Sequence, residues 1–285
     1  MNNRPQSTFS VSGRIQVFQT GQFRGKLTKI ASLLAVGFVM ASASADQKGT
    51  DIMQQVTDFK KPKFSQSQVV MVLKDKAGAE EKRQVIEYGK EAGGKTYAVM
   101  DFKGPASIKD TRFLQITGDN APDEKFIYLP SLKSVRRVNS SEGSKAFMGT
   151  DATYDDLTTR KMDEDEHEFV KEEKKTVESG VEYDCYVVKN TPIDKKNSQY
   201  SYRMVWVDKA TMYPVHTEMF DKNGKLIKVL EVLKIEDHGG YNIPMADKLT
   251  NVQTGHSTSL NILKVIVDQP IPDRVFTQSF LSTGK

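Results

Sequence analysis

Apolar and polar residues alternate with a period of two along most of the chain from Gln66 onward. This period is typical of half-buried β-strands, whose successive side chains point to opposite faces of a sheet. Roughly a dozen such segments follow one another, and Gly, Pro, Asn and Asp residues separate them. Asn223-Gly224, in one of these turns, is a strong hairpin dipeptide. The pattern therefore predicts an antiparallel meander.

Helical periodicity is confined to three short segments. Residues 50–59, "TDIMQQVTDF", place their apolar residues on one face and predict an amphipathic N-terminal helix. A second helix is predicted to begin at Thr153, which has the spacing of a capping box with Asp156. A third is predicted near the C-terminus, where Pro272 occupies a helix start.

A large sheet with so few helices must bury one of its faces by curling. Several strands are apolar only at alternate positions, as at Ala98, Met100 and Phe102, so one face is expected to be covered. We predict a mainly β (α+β) fold in which a large curled antiparallel sheet forms an open half-barrel. A few short helices would lie over the concave face and leave apolar space at its mouth.

Residues 1–45 have the features of a cleaved secretory signal peptide. Basic residues precede an apolar run from Ile30 to Met40, and Ala43-Ser44-Ala45 supplies the small residues that signal peptidase accepts. This run is shorter than the ~20 residues of a membrane-spanning helix. We predict cleavage before Asp46 and one mature domain over residues 46–285, a soluble monomer in the periplasm of a Gram-negative type of envelope.

Removal of this segment changes the charge of the protein. The chain has 41 Lys and Arg against 37 Asp and Glu, and residues 1–45 contain five of the basic residues and none of the acidic ones, which leaves 36 against 37. Nucleic-acid binding requires a basic face, so no nucleic acid is expected as a partner. The one cysteine, Cys185, cannot form an intramolecular disulfide, and we interpret it as a buried strand residue.

Motifs for catalysis or metal binding are absent from the sequence. It contains no G-x-S-x-G, no H-E-x-x-H and no Gly-rich phosphate loop, and its four histidines are scattered. The acidic run Asp163–Glu168 lacks the alternating spacing of a calcium loop and predicts a solvated loop. We therefore predict a non-catalytic protein without cofactor or metal.

One polar loop, residues 144–157, contains two large apolar residues and is predicted to close over the apolar space. The predicted lid residues are Phe147, Met148, Gly149, Asp151, Tyr154 and Leu157. Methionine lines adaptable binding surfaces, although strand methionines can equally be ordinary core. The predicted cavity residues are Met71, Met100, Phe102, Tyr202, Met204, Trp206 and Met219.

Two adjacent arginines precede this loop. Arg136 and Arg137 can form a solvated strand edge, or one of them can hold the loop shut by pairing with Asp151 or Asp155. A third alternative is contact with the phosphate of a lipid headgroup.

Residues 128–138, "YLPSLKSVRRV", and 147–157, "FMGTDATYDDL", resemble the outer-membrane lipoprotein-sorting-like family, which is related to the periplasmic carrier LolA. Thr150 and Asp155 replace the Ser and Glu that are usual there. Residues 206–230 fit the family's Trp strand, Tyr-Pro turn and following hairpin.

The resemblance implies an open half-barrel that binds a lipid or lipoprotein acyl chain and takes part in outer-membrane lipoprotein or lipid sorting. It also implies a partnership with an inner-membrane permease of the RND type. The alternative is an accessory protein that docks such a permease and carries nothing; an enzyme acting on lipid is a third hypothesis.

Overall fold

The computed structural model describes residues 46–118 and 121–285. Its strands, in chain order, are β1 (Phe64–Lys74), β2 (Glu80–Ala92), β3 (Lys95–Gly104), β4 (Arg112–Gly118), β5 (Ala121–Leu129), β6 (Ser134–Arg137), β7 (Asp165–Thr176), β8 (Glu182–Pro192), β9 (Tyr202–Asp208), β10 (Pro214–Phe220), β11 (Leu226–Asp237), β12 (Asn242–Asn251) and β13 (His256–Val267).

Within the described residues, these 13 strands form one sheet in the order β6-β5-β4-β3-β2-β1-β13-β12-β11-β10-β9-β8-β7. Consecutive strands pair antiparallel, with the exception of β6 and β7, and β1 joins the two halves by pairing with both β2 and β13. Strands β6 and β7 are the two edges, so the sheet is curled but not closed. The predicted fold class is confirmed.

Two of the three predicted helices are present. Helix α1 spans residues 46–57 of the described chain, close to the predicted range. Near the C-terminus, a 3₁₀ turn over Asp273–Phe276 follows Pro272, and α2 (Gln278–Thr283) follows that turn.

The helix predicted at Thr153 is wrong. Thr153 N donates to Asp156 Oδ2 (2.9 Å) and Asp156 N donates to Thr153 Oγ1 (3.2 Å), which are the reciprocal bonds of a capping box. They close a single turn over residues 154–157. The helix does not continue because Gln115 of β4 donates to the carbonyl of Leu157 (3.3 Å), and the chain leaves in extended form.

The acidic run Asp163–Glu168 is not a solvated loop, because it enters the edge strand β7. Asp165 and His167 are buried there. Arg160 Nε donates to Asp165 Oδ2 (2.5 Å), and His167 Nδ1 lies 2.8 Å from Asn190 Oδ1 of β8. The high charge of this segment concealed its alternation, so sequence analysis missed the strand.

The two faces of the sheet are covered by different segments. Phe102 and Phe113 contact the connection between β6 and β7; we call their side the inner face. Helix α1 packs on this same face, against β8 and β9. The C-terminal segment with α2 packs on the opposite, outer face, where Phe280 contacts Tyr88.

The predicted signal peptide, residues 1–45, lies outside the described residues, and its cleavage stays a prediction. No helix in the described part of the chain is long and apolar enough to cross a membrane.

Candidate functional site

The connection from β6 to β7 runs from one edge of the sheet to the other, over the inner face. We call this connection, residues 138–161, the strap. It starts against β5, where Val138 N donates to Lys125 O (2.8 Å). The predicted lid lies at its centre, where an isolated antiparallel bridge joins Ala146 to Thr153.

A tight turn at the centre of the strap presents Phe147. Phe147 N donates to Ala152 O (2.8 Å), and Thr150 Oγ1 donates to Phe147 O (2.7 Å). Met148 and Gly149 both have positive φ, 49° and 77°. Glycine tolerates this conformation, whereas for methionine it costs on the order of 1 kcal/mol or more.

Phe147 is only 1% exposed and packs against the inner face of the sheet. Its ring centroid lies 5.0 Å from that of Phe113, 6.2 Å from Phe102 and 5.6 Å from Tyr154. These are favourable separations for aromatic pairs. Met148 packs partly buried against the same cluster. The strap therefore inserts a large apolar side chain into the half-barrel.

Polar contacts attach this turn to β2 and β13, the two strands that flank β1. Arg83 of β2 donates from Nη1 to Met148 O (2.7 Å) and so supports the strained residue. On β13, Thr258 Oγ1 donates to Asp151 Oδ2 (2.7 Å), and His256 Nδ1 lies 2.7 Å from the same oxygen.

Asp156 is the most heavily bonded carboxylate of the strap. Lys228 Nζ donates to it at 2.7 Å and Tyr200 Oη at 2.8 Å, in addition to Thr153 N. The side chains of Lys228 and Asp156 are each 8% exposed. Burial, followed by the charge of Asp156, raises the pKa of Tyr200. Buried ion pairs of this kind require such additional hydrogen bonds.

Of the three alternatives for Arg136 and Arg137, the latch to Asp151 or Asp155 does not occur in the described part of the chain, and contact with a lipid phosphate stays a prediction. Neither Arg136 nor Arg137 pairs with Asp151 or Asp155 among the described residues. Arg136 donates from Nη1 to Glu142 instead (2.9 Å). The prediction relied on proximity along the chain, whereas the strap's carboxylates are bound by strands that are distant in sequence.

Beneath the strap lies a cavity of about 180 Å³. Strands from both halves of the sheet contribute to its wall, and the polar lining is limited to two threonines and two aspartates. The apolar lining residues are Met71, Met100, Ala152, Phe147, Leu157, Met219, Leu230, Leu249 and Leu260.

Several residues predicted for the cavity or its lid are brought together. Met71, Met100 and Met219 line it, as does Leu157 of the strap. Phe102 lies beside it against Phe147. Whether these residues bind a ligand stays a prediction.

Tyr202, Met204 and Trp206 do not line the cavity, and this part of the prediction is wrong. On β9 they alternate with Arg203, which is paired with Met219 on the inner face, so their side chains point to the outer face. Both faces of this strand carry apolar residues. Alternation alone therefore could not assign the face.

Two carboxyl groups on the inner face have pKa values above the ordinary range of carboxylic acids. Burial raises the pKa of Glu87 of β2 to about 7. Burial, followed by the negative charge of Glu87, raises the pKa of Asp247 to about 7, and Asp247 lines the cavity. The site therefore carries less negative charge near neutral pH than its composition indicates. Within the described residues, no group of three or more metal-ligating side chains occurs.

An open antiparallel sheet with a strap across its inner face and an apolar cavity beneath defines the LolA-like half-barrel class. A domain assigned to outer membrane lipoprotein sorting from Vibrio parahaemolyticus has 28% identity and a TM-score of 0.76, over 83% of this chain and 99% of that one. A DUF1329 family protein from Desulfovibrio piger has 25% identity and the same TM-score and coverage. A LolA superfamily protein from Nitrosomonas europaea has 16% identity and a TM-score of 0.60, over 81% and 98%.

Residues 94–283 match a family model described as "Uncharacterized protein". The match spans more than half of the chain, so the chain belongs to this family, and it shares the fold of the outer membrane lipoprotein-sorting domain and the LolA superfamily protein. No curated protein matches the sequence.

Proposed function

We propose that the protein is a non-catalytic carrier that binds a lipid or lipoprotein acyl chain beneath the strap. The observation that supports this most directly is the apolar cavity on the inner face, which Phe147 of the strap partly fills. The predicted signal peptide favours action in the periplasm, and the fold of the LolA-like neighbours favours a binding role over catalysis.

The size of the cavity indicates how such a carrier works. A volume of about 180 Å³ is equivalent to roughly six water molecules of ~30 Å³ each. At ~0.8 kcal/mol per buried CH₂, a similar number of methylene groups contributes about 5 kcal/mol, which corresponds to a Kd in the range of roughly 0.1–1 mM. Tighter binding of a longer chain requires Phe147 to move out.

The proposal can be tested by mass spectrometry of lipid that co-purifies with the exported protein, followed by titration of the delipidated protein with dodecanoate. Two methionines supply a matched pair of variants. Met100 lines the cavity, whereas Met204 occupies a comparable, half-buried position on the outer face. Met100→Gln places an unpaired amide in the cavity, which costs about 1–3 kcal/mol, so we expect roughly 10-fold weaker binding.

Met204→Gln should leave the affinity unchanged. Absence of co-purified lipid together with absence of saturable dodecanoate binding by the folded protein would overturn the carrier proposal. The permease-docking hypothesis, which stays a prediction, would then take its place.

A further inference from the structure

A second and larger cavity, of about 730 Å³, lies where the two edges of the open sheet approach each other beside the strap. We call it the seam cavity. Its walls come from β5 and β6, from the strap, and from β9 with the loop that precedes it, and they are much more polar than those of the cavity beneath the strap. Its walls carry charges of both signs: the cations are Lys125, Arg137, Arg160, Lys161 and Arg203, and the carboxylates are Asp123, Asp155, Asp163, Glu164 and Asp194.

Arg203 is the unusual residue of this cavity. Its position on β9 points it to the inner face, and its Nη1 is buried without a hydrogen-bond partner. The guanidinium lies over the ring of Tyr200, 4.7 Å from the centroid. Buried charged groups are normally hydrogen-bonded or paired. An unpaired arginine nitrogen beside a cavity of this size is therefore suited to an anionic ligand.

The two carboxylates that act most directly on Arg203, Asp165 and Asp156, are each paired with another cation. Asp165 accepts two hydrogen bonds from Arg160, at 2.5 and 2.9 Å. Asp156 is paired with Lys228. Burial, followed by the positive charge of Arg160, lowers the pKa of Arg203. The Nη1 nitrogen of Arg203 is thus left without a hydrogen-bond partner among the described residues.

The seam cavity and the apolar cavity are close neighbours. Tyr154 lines the seam cavity, and its ring packs on Phe147, which lines the apolar cavity. The strap is thus the partition between a polar, arginine-containing space and an apolar space. In a ligand that joins a charged group to an acyl chain, the charged group would match the seam cavity and the chain would match the apolar cavity.

We propose that the seam cavity is an anion site, with Arg203 as its central residue, for the phosphate group of an amphiphile whose chain lies beneath the strap. This proposal rests on the proposed function and names the class of its ligand, an anionic phospholipid or lipid phosphate. The guanidinium would donate to phosphate oxygens, for which arginine is well suited, and because Nη1 is buried in the unliganded protein the side chain would turn toward the cavity to do so.

The test compares three probes: monododecyl phosphate, dodecanol and inorganic phosphate. A charge-assisted hydrogen bond corresponds to roughly 10- to 100-fold in affinity, so the folded protein should bind monododecyl phosphate tighter than dodecanol by about this factor. Arg203→Gln should remove the difference and leave dodecanol binding unchanged, whereas Arg203→Lys should retain part of it. Arg136→Gln, which alters an arginine paired with Glu142, is the matched control and should change nothing.

A purely structural arginine would give another result. Arg203→Gln should lower the urea midpoint of unfolding only slightly, because the contact that it removes is the one with the ring of Tyr200; a large decrease would assign Arg203 to stability and overturn the proposal. Equal affinity for monododecyl phosphate and dodecanol would overturn the anion site and leave the carrier intact. Binding of inorganic phosphate alone with the affinity of monododecyl phosphate would assign the site to free phosphate and overturn the headgroup role. If neither amphiphile binds, the proposed function fails, and this proposal fails with it.

Discussion

Replacement of Phe147 by alanine should have opposite effects on stability and on ligand affinity. Phe147 is fully buried among Phe102, Phe113 and Tyr154. Loss of a buried phenylalanine costs about 3–5 kcal/mol through the transfer and cavity terms. The unliganded protein should therefore lose this much of its free energy of unfolding, measured by urea denaturation.

The same substitution enlarges the proposed acyl cavity. The space of the missing ring holds on the order of four methylene groups at ~0.8 kcal/mol each, which amounts to about 3 kcal/mol, or roughly 100-fold in Kd. Titration calorimetry with dodecanoate should therefore show tighter binding by Phe147→Ala than by the natural protein, although the variant is less stable.

Phe280→Ala is the control for this experiment. Phe280 is also buried, at 5% exposure against 1% for Phe147, but it lies on α2 at the outer face. Its loss should reduce stability to a similar extent and leave the affinity for dodecanoate unchanged. Weaker or unchanged binding by Phe147→Ala would refute the inference that this side chain occupies space that the ligand uses.

Lys228→Met should lower the free energy of unfolding by about 3 kcal/mol, because it leaves the buried carboxylate of Asp156 without its cation; a loss below about 1 kcal/mol in urea denaturation would be typical of an exposed pair and would contradict this. The folded pKa of Glu87, about 7, lies above its ordinary value of 4.5, so its contribution to stability is present below the unfolded pKa and is lost as the pH rises through 7. Glu87→Gln should therefore stabilise the protein by about 2–3 kcal/mol at pH 8 and leave it unchanged at pH 4, and an equal difference at both pH values would exclude this pKa. Cys185 is buried, and burial raises the pKa of its thiol to about 12, so a thiol reagent at pH 8 should modify it only in urea; rapid modification of the native protein would contradict its burial.

The sheet could be predicted because, except for β6 and β7, each strand pairs with the next strand in the sequence. The alternation within each strand and the residues of the turns therefore indicate most of the strand order. Strand β7 is the exception. Its sequence "DEHEFVKEEKKT" consists mostly of charged residues. Its buried residues Asp165 and His167 form polar contacts with Arg160 and Asn190 instead of packing as apolar side chains. An edge strand of this type resembles a solvated loop in sequence.

The candidate site could be predicted only in part. The position of Phe147 followed from an apolar residue in a polar loop, and three of the methionines followed from alternation. The partners of the strap could not be found in this way, because Arg83, Lys228 and Thr258 are brought to it by curvature of the sheet. The face of the sheet on which Trp206 lies could not be predicted, because β9 carries apolar residues on both faces. Its alternation therefore does not indicate which residues point to the inner face.

If an acyl chain occupies the inner face beneath the strap, the methionine methyl groups that line the cavity should detect it directly. Met71, Met100 and Met219 line the cavity, whereas Met204 lies on the outer face. In an NMR titration of the ¹³C-methyl-labelled protein with dodecanoate, we expect saturable shifts of the methyl signals of Met71, Met100 and Met219 and no shift of the Met204 signal. Shifts of Met204 alone, or no saturable shift of the three cavity methionines, would contradict binding of the chain beneath the strap.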